Sequence, residues 1–370
     1  MKKVGIMSMQ RIANYGSFLQ AYGLKQILSE LGCEVEFVDY HVEPCLISNE
    51  QRGFGRKVKK VLEVFKYNAP LKDKINFIKH KKNYAGNNYP LLGLTEEMNY
   101  TPELDLLVIG SDEVFNCVQS NSNVGFSPEL FGVNNRAKKL ISYAASFGNT
   151  TKEKLVKYEV ENQIREWLGK FSAISVRDNN SGSIVSDLLH STPEYHLDPV
   201  LIYDYVGKCK DIPDTVKETK YLILYGYSGR LSKEECEIVK RYAKNKGLQV
   251  FCIGGIQECS DKFIECNPFE VISYFKNADS ILTDTFHGTI LSIITHRKFA
   301  TLVRKSGYGN SEKLIDLLER LKLKDRIVSN EEAIPELLDT PIDYNDTDRI
   351  IKQERERSYE YLRKQIEAGV

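Results

Sequence analysis

The run from Ala278 to Arg304, ADSILTDTFHGTILSIITHRKFATLVR, constrains the fold more than any other stretch. Ser280 to Thr283 predicts a short buried strand and Phe299 to Val303 a second one. Between them, small polar residues and a glycine give way to apolar residues at helical spacing. His287 and Gly288 therefore fall at a strand-to-helix turn, where a helix start offers free N–H groups and positive dipole. Such a turn suits a phosphate or carboxylate, and the imidazole beside it moves protons near neutral pH. Glycine there lets a ligand approach the backbone. A histidine in this place serves equally as a cap or a packing residue, so the stretch alone leaves both roles open.

The same strand–helix alternation recurs along the chain. Val4 to Ser8 reads as a strand, Gly16 to Leu31 as an amphipathic helix and Glu34 to Tyr40 as a strand, a βαβ unit. The loop between strand and helix, Met9 to Ser17, sits at the carboxyl edge, where open α/β sheets bind ligands. Asn14 and Ser17 either cap the helix or touch substrate. No GxGxxG accompanies the loop, so a dinucleotide site has no support. Leu104 to Gly110 predicts a buried strand ending in Gly110-Ser111-Asp112-Glu113, where a glycine, a hydroxyl and a carboxylate either form a second cleft edge or cap the next helix. Lys139 to Phe147 reads as a strand, Lys152 to Leu168 as a helix, and Ala173 to Val176 as a strand leading to Arg177. A planar guanidinium there suits an anion, or pairs with a neighbouring carboxylate.

A second α/β set starts at Tyr221 to Tyr227. It runs through helix Lys233 to Lys246, strand Gln249 to Ile253, helix Phe269 to Asn277 and the opening stretch, with a later helix over Glu312 to Leu321. Glu331 to Asp346 reads as a surface connection, and Asp348 to Ile366 as a charged terminal helix. The expectation is an α/β protein with two Rossmann-like domains facing a cleft. Residues 1–205 form the first domain, with a helical insertion near 41–101, and residues 206–342 form the second, carrying His287. Residues 343–370 form a helix returning to the first.

Charge and cysteine usage narrow the partners. Lys+Arg and Asp+Glu are equal at 51 each, so no global field favours nucleic acid or an anionic membrane. One local exception is Lys57 to Lys82, basic and amphipathic. Such a segment lies on an anionic membrane surface or forms the solvated outer face of a packed helix. The eight cysteines include no CxxC pair, and several lie in apolar runs, which predicts reduced structural thiols. No long apolar run predicts a membrane span, so a cytoplasmic protein is expected, with peripheral contact at the inner membrane face left open.

Several segments, taken in order, resemble the polysaccharide pyruvyl transferase family. They are Asn14-Tyr15-Gly16-Ser17-Phe18-Leu19-Gln20-Ala21-Tyr22, Gly110-Ser111-Asp112-Glu113-Val114-Phe115-Asn116, Ser142 to Gly148, Ser175-Val176-Arg177-Asp178, Leu197-Asp198-Pro199, Thr283 to Thr289 and Asn310-Ser311-Glu312-Lys313. The resemblance implies a fold similar to GT-B glycosyltransferases. It also implies transfer of a pyruvyl group from phosphoenolpyruvate to two sugar hydroxyls, with no further cofactor and no metal. The sugar would be nucleotide-linked, lipid-linked or polymeric, in capsular, exopolysaccharide or cell-wall synthesis. It places the family's catalytic histidine on His287 and its strand-end arginine on Arg177. Family members often carry an arginine where this chain has Thr285, and Arg304 and Lys305 are candidate replacements. On the residues' own chemistry, His287 is the expected general acid, Arg177 the holder of the donor anion, and Asp112 the aid to acceptor deprotonation. Thr285, Gly288 and Thr289 complete the expected donor side, and Asn14, Tyr15, Ser17, Ser111 and Glu113 the acceptor side. A nucleotide-sugar glycosyltransferase and a non-catalytic sugar-binding protein are the rival readings, which fold alone does not separate.

Overall fold

The computed structural model describes residues 1–47, 63–214, 219–304 and 311–368. Lys305 and Asn310, with the part of the basic segment from Lys57 to Leu62, lie outside the described residues. Two parallel sheets organise the chain. The first contains β1 (Lys3–Met7), β2 (Glu34–Phe37), β3 (Leu106–Ile109) and β4 (Leu140–Ser142) in the order β2-β1-β3-β4. Helix α1 (Tyr15–Glu30) crosses from β1 to β2, and α2 (Leu71–Leu92) belongs to the insertion before β3. Bridges from Ile141 to Ala173 and Ala145 to Val176 extend this sheet toward the Ser175–Val176 strand. Helices α3 (Asn179–Leu189) and α4 (Pro199–Ile202) end this half.

The second sheet contains β5 (Tyr221–Tyr225), β6 (Gln249–Ile253), β7 (Lys262–Phe263), β8 (Ser280–Thr283) and β9 (Lys298–Thr301) in the order β7-β6-β5-β8-β9. Its helices are α5 (Lys233–Lys246), α6 (Pro268–Asn277), α7 (Phe286–Ile294), α8 (Ser311–Arg320) and α9 (Ile334–Asp339). In each sheet the winding reverses beside the first strand, between β1 and β3 and between β5 and β8. Such switch points open crevices at the carboxyl ends of strands, and here the two crevices face each other.

The halves share one apolar core. Phe269 of α6 packs edge-on against Phe18 and Tyr22 of α1, with ring centroids 5.6 and 4.9 Å apart. The last helix, α10 (Asn345–Glu367), straps both halves together. His296 of the second half bonds Asp348 near its start at 2.9 Å. Near its end, the Tyr361 hydroxyl donates to Ser142 O at 2.8 Å and Lys139 Nζ to Gln365 O at 2.8 Å.

Two sequence expectations change. Lys152 to Leu168 is two helices, Lys152–Lys157 and Glu161–Leu168, because Glu159 turns to φ 57° between them. The run from Glu331 to Asp346 contains α9, whose Ile334 and Leu338 are fully buried against the second sheet's core.

Candidate active site

The facing crevices form a cleft of about 500 Å³. One wall comes from the loops after β1 and β3, the other from the loops after β5 and β8, and α2 adds a side with His80, Lys81 and Tyr84. At its base lies a buried cluster. Arg177, at the end of its short strand, donates from Nη1 to Asp198 Oδ2 at 2.7 Å and from Nη2 to Asp112 Oδ1 at 3.3 Å. Its guanidinium lies over the Phe286 ring, Cζ 4.6 Å from the centroid, which fixes the plane of the fork. Burial opposes the arginine's charge, but Asp112 and Asp198 outweigh it and hold the guanidinium protonated.

Asp198 joins the cluster to the histidine. Its Oδ1 accepts from Val200 N at 3.0 Å, and its Oδ2 lies 3.6 Å from His287 Nε2. That is an ion-pair distance a little beyond hydrogen-bond reach. Burial pushes the Asp198 carboxyl up, yet His287, Arg177 and the Val200 N–H together hold it down at about 2. The histidine ring lies against the first turn of α1. A Cβ on Gly16 would sit 2.1 Å from His287 Nδ1, so the absence of a side chain at 16 makes room for the imidazole.

On the first half's wall, Asp112 sits at φ 76°, the left-handed region that short polar side chains tolerate. Its Oδ2 accepts from Ser17 Oγ at 2.8 Å. Glu113 pairs with Lys313 of α8 and accepts from Asn116 Nδ2 at 2.8 Å. Burial would raise the Glu113 carboxyl, but Lys313, Arg177 and Asn116 lower it to about 2. Asn14 caps α1, accepting from Gly16 N and Ser17 N, and its Nδ2 donates to Tyr227 Oη at 3.0 Å across the cleft. The Tyr15 hydroxyl is engaged with His80 Nε2 and Cys266 O, both at 2.9 Å, so it ties α2 and the second half to α1.

Other expected site residues stand elsewhere. Ser111 is fully buried beneath the wall, donating to Ala144 O at 3.0 Å. Thr289 is in the core, bonded to Thr285 O and Thr301 Oγ1 at 3.0 Å each. Gly288 is small for packing and not for ligand approach, since a Cβ there would meet Thr283 Oγ1 at 2.2 Å and Tyr225 Cδ1 at 2.6 Å. Thr285 borders the cleft, but its Oγ1 accepts from Gly288 N at 3.0 Å as the cap of α7. Arg304 is directed to Glu235, at 2.6 and 3.1 Å, outside the cleft lining.

Sequence reasoning passed over three residues as site candidates, Lys313 and Arg230 in the cleft lining and Asp198 buried beneath it. Asp198 caps the short helix that starts at Pro199, and its signal was the Leu197-Asp198-Pro199 resemblance. Lys313 lies on a late helix, and its signal was the Asn310-Ser311-Glu312-Lys313 resemblance. Arg230 had no signal at all. It lines the cleft, donates to Asp284 Oδ2 at 3.2 Å and lies over the Tyr227 ring with Cζ 4.4 Å from the centroid. Burial raises the Asp284 carboxyl, and Arg230 and Arg304 counter that rise.

Fold and cleft together define a GT-B-type protein with a buried histidine–aspartate–arginine cluster between its halves. The sequence profile described as polysaccharide pyruvyl transferase matches residues 14–306, most of the chain, and the chain belongs to that family. No curated protein sequence matches it. Among solved structures, Arabidopsis thaliana UGT89C1 superposes with a TM-score of 0.51 at 8% identity, with 99% of each chain covered. Methanocaldococcus jannaschii UDP-GlcNAc 2-epimerase gives 0.45 at 11% identity, with 98% of each covered. An O-GlcNAc transferase variant from Thermobaculum terrenum gives 0.40 at 10% identity over 100% of this chain, which spans 64% of that protein's length.

Proposed function

We propose that this protein transfers the pyruvyl group of phosphoenolpyruvate to two hydroxyls of one sugar, releasing phosphate and forming a cyclic ketal. The observation that carries the reading is Asp198 Oδ2, held at 2.7 Å by Arg177 and 3.6 Å from His287 at the cleft base. That carboxylate faces the ring that this reading makes the general acid and fixes its orientation at the cleft base. The donor's double bond takes a proton from His287 at its methylene carbon, and the first sugar hydroxyl bonds to the neighbouring carbon. That hydroxyl's proton returns to the ring. The carbon–phosphate oxygen bond then breaks, the second hydroxyl closes the ketal, and its proton leaves with the phosphate. Asp112, which accepts from Ser17 and Arg177, is on this reading the group that helps an acceptor hydroxyl lose its proton.

Phosphoenolpyruvate carries two anionic groups, and the cleft lining supplies Arg177, Arg230, Lys81 and Lys313. Arg230 takes the place of the arginine missing at Thr285. It is anchored by Asp284, the residue just before position 285, and Tyr227 holds its plane. The acceptor is a sugar of polysaccharide synthesis, carried on a nucleotide, a lipid or a polymer.

The test is thermal stabilisation by phosphoenolpyruvate, followed by product analysis with candidate acceptors. A ligand at a hundred times its dissociation constant stabilises by about 2.7 kcal/mol. Stabilisation by the donor, with phosphate release matched to ketal formation, is expected. Stabilisation only by a nucleotide sugar, with transfer of its glycosyl group, would overturn the reading in favour of glycosyl transfer.

A further inference from the structure

Helix α2 has two faces that the transfer reaction does not explain together. Its inner stripe, Asp73, Phe77, His80, Tyr84, Asn88 and Leu92, is buried, with Phe77 edge-on to Phe263 at 5.4 Å. At 100° per residue, Leu71, Lys72, Ile75, Lys79 and Lys82 fall within about 100° on the opposite side. All five are exposed. Leu71 and Ile75 are 62% and 52% exposed, and Phe65, just before the helix, is 44% exposed. The helix carries five lysines, and its one acidic residue, Asp73, is buried. Two neighbouring aliphatic side chains ringed by lysines are unusual on a chain whose charges otherwise balance at 51 and 51.

We infer that this outer face of α2 docks on an anionic lipid bilayer. Charge complementarity names the partner: lysines meet acidic headgroups while aliphatic residues enter the headgroup–acyl boundary. A nucleic acid would satisfy the lysines and leave Leu71, Ile75 and Phe65 without a role. The inner side of the same helix contributes His80, Lys81 and Tyr84 to the cleft. Docking therefore places the cleft beside the lipid–water boundary, where a lipid-carried sugar presents its hydroxyls. The bilayer contact does not depend on the reaction assigned above, and its test needs no substrate.

Full-length protein is sedimented with vesicles of phosphatidylcholine alone, and of phosphatidylcholine with phosphatidylglycerol at about two to one. Binding only to the mixed vesicles, weakened by salt, is expected. Lys72→Gln/Lys79→Gln/Lys82→Gln should lower partitioning on the order of a hundredfold, and Leu71→Ser/Ile75→Ser should lower it further at high salt. These positions are exposed, and circular dichroism is the check that the variants fold. Absence of binding to the mixed vesicles, or binding that neither variant changes, would overturn the proposal. So would retention on an acidic polymer such as heparin without vesicle binding.

Discussion

Asp198 presents one oxygen to two cations: its Oδ2 accepts from Arg177 at 2.7 Å and faces His287 Nε2 at 3.6 Å. Asp198 and Arg177 belong to the first half and His287 to the second, so the three side chains come together only where the halves meet. Replacing His287 by Ala should lower turnover at least a hundredfold to ten-thousandfold while donor binding persists. Asp198→Asn should approach the same loss with an intact ring. Steady-state kinetics and donor thermal shifts on both variants check this, and near-normal turnover in folded His287→Ala would remove the ring from the mechanism.

Arg230 predicts a different pattern. If it holds a donor anion, Arg230→Ala should raise the KM for phosphoenolpyruvate by tenfold or more, the loss of a charged hydrogen bond of about 1.5–3 kcal/mol. The acceptor KM should change little. Arg304→Ala should destabilise the protein through Glu235 and Asp284 without a comparable change in donor KM. Equal donor effects from the two variants would contradict the assignment.

Gly288→Ala separates packing from ligand approach. The added methyl meets Thr283 and Tyr225 below 3 Å, so denaturant unfolding should show a loss of about 1–3 kcal/mol. A variant of unchanged stability that has lost donor binding would restore the ligand role expected from sequence.

The Glu113–Lys313 pair links stability to pH. Glu113 is held at about 2, below its ordinary 4.5, so its contribution is complete above 4.5 and is lost as pH falls toward about 2. The Glu113 side chain is 30% exposed, and water screens the pair, so the contribution is on the order of 1 kcal/mol. Lys313→Met should flatten stability over that window in urea unfolding at a series of pH values. An unchanged slope between wild type and variant would exclude the pair as its source.

Local pattern exposed the two α/β units and the residues at their strand ends, because a buried strand followed by polar residues and a helix is written in consecutive positions. His287, Arg177 and Asp112 were legible for that reason, and the structure brings them together. What the pattern could not show is where a side chain spends its hydrogen bonds. Thr289 and Gly288 share a turn with His287, yet their neighbours are core atoms of β5, β8 and β9. Arg304 ends a strand beside the site but is drawn away by Glu235, 69 residues earlier. Arg230 was invisible because its partners, Asp284 and Tyr227, matter only in three dimensions. Asp198 was hidden in plain view, since a capping aspartate before proline satisfies local logic with one oxygen while the other serves the cleft.

The missing side chain at Gly16 makes the seam between the halves a size gauge. Nothing larger than hydrogen fits there while His287 occupies its place. A methyl at 16 would act as a doorstop, holding the second half off the first and parting the imidazole from Asp198 with every chemical group still present. Gly16→Ala thus separates the position of the imidazole from its presence, since the ring must move away while every other group of the site is retained.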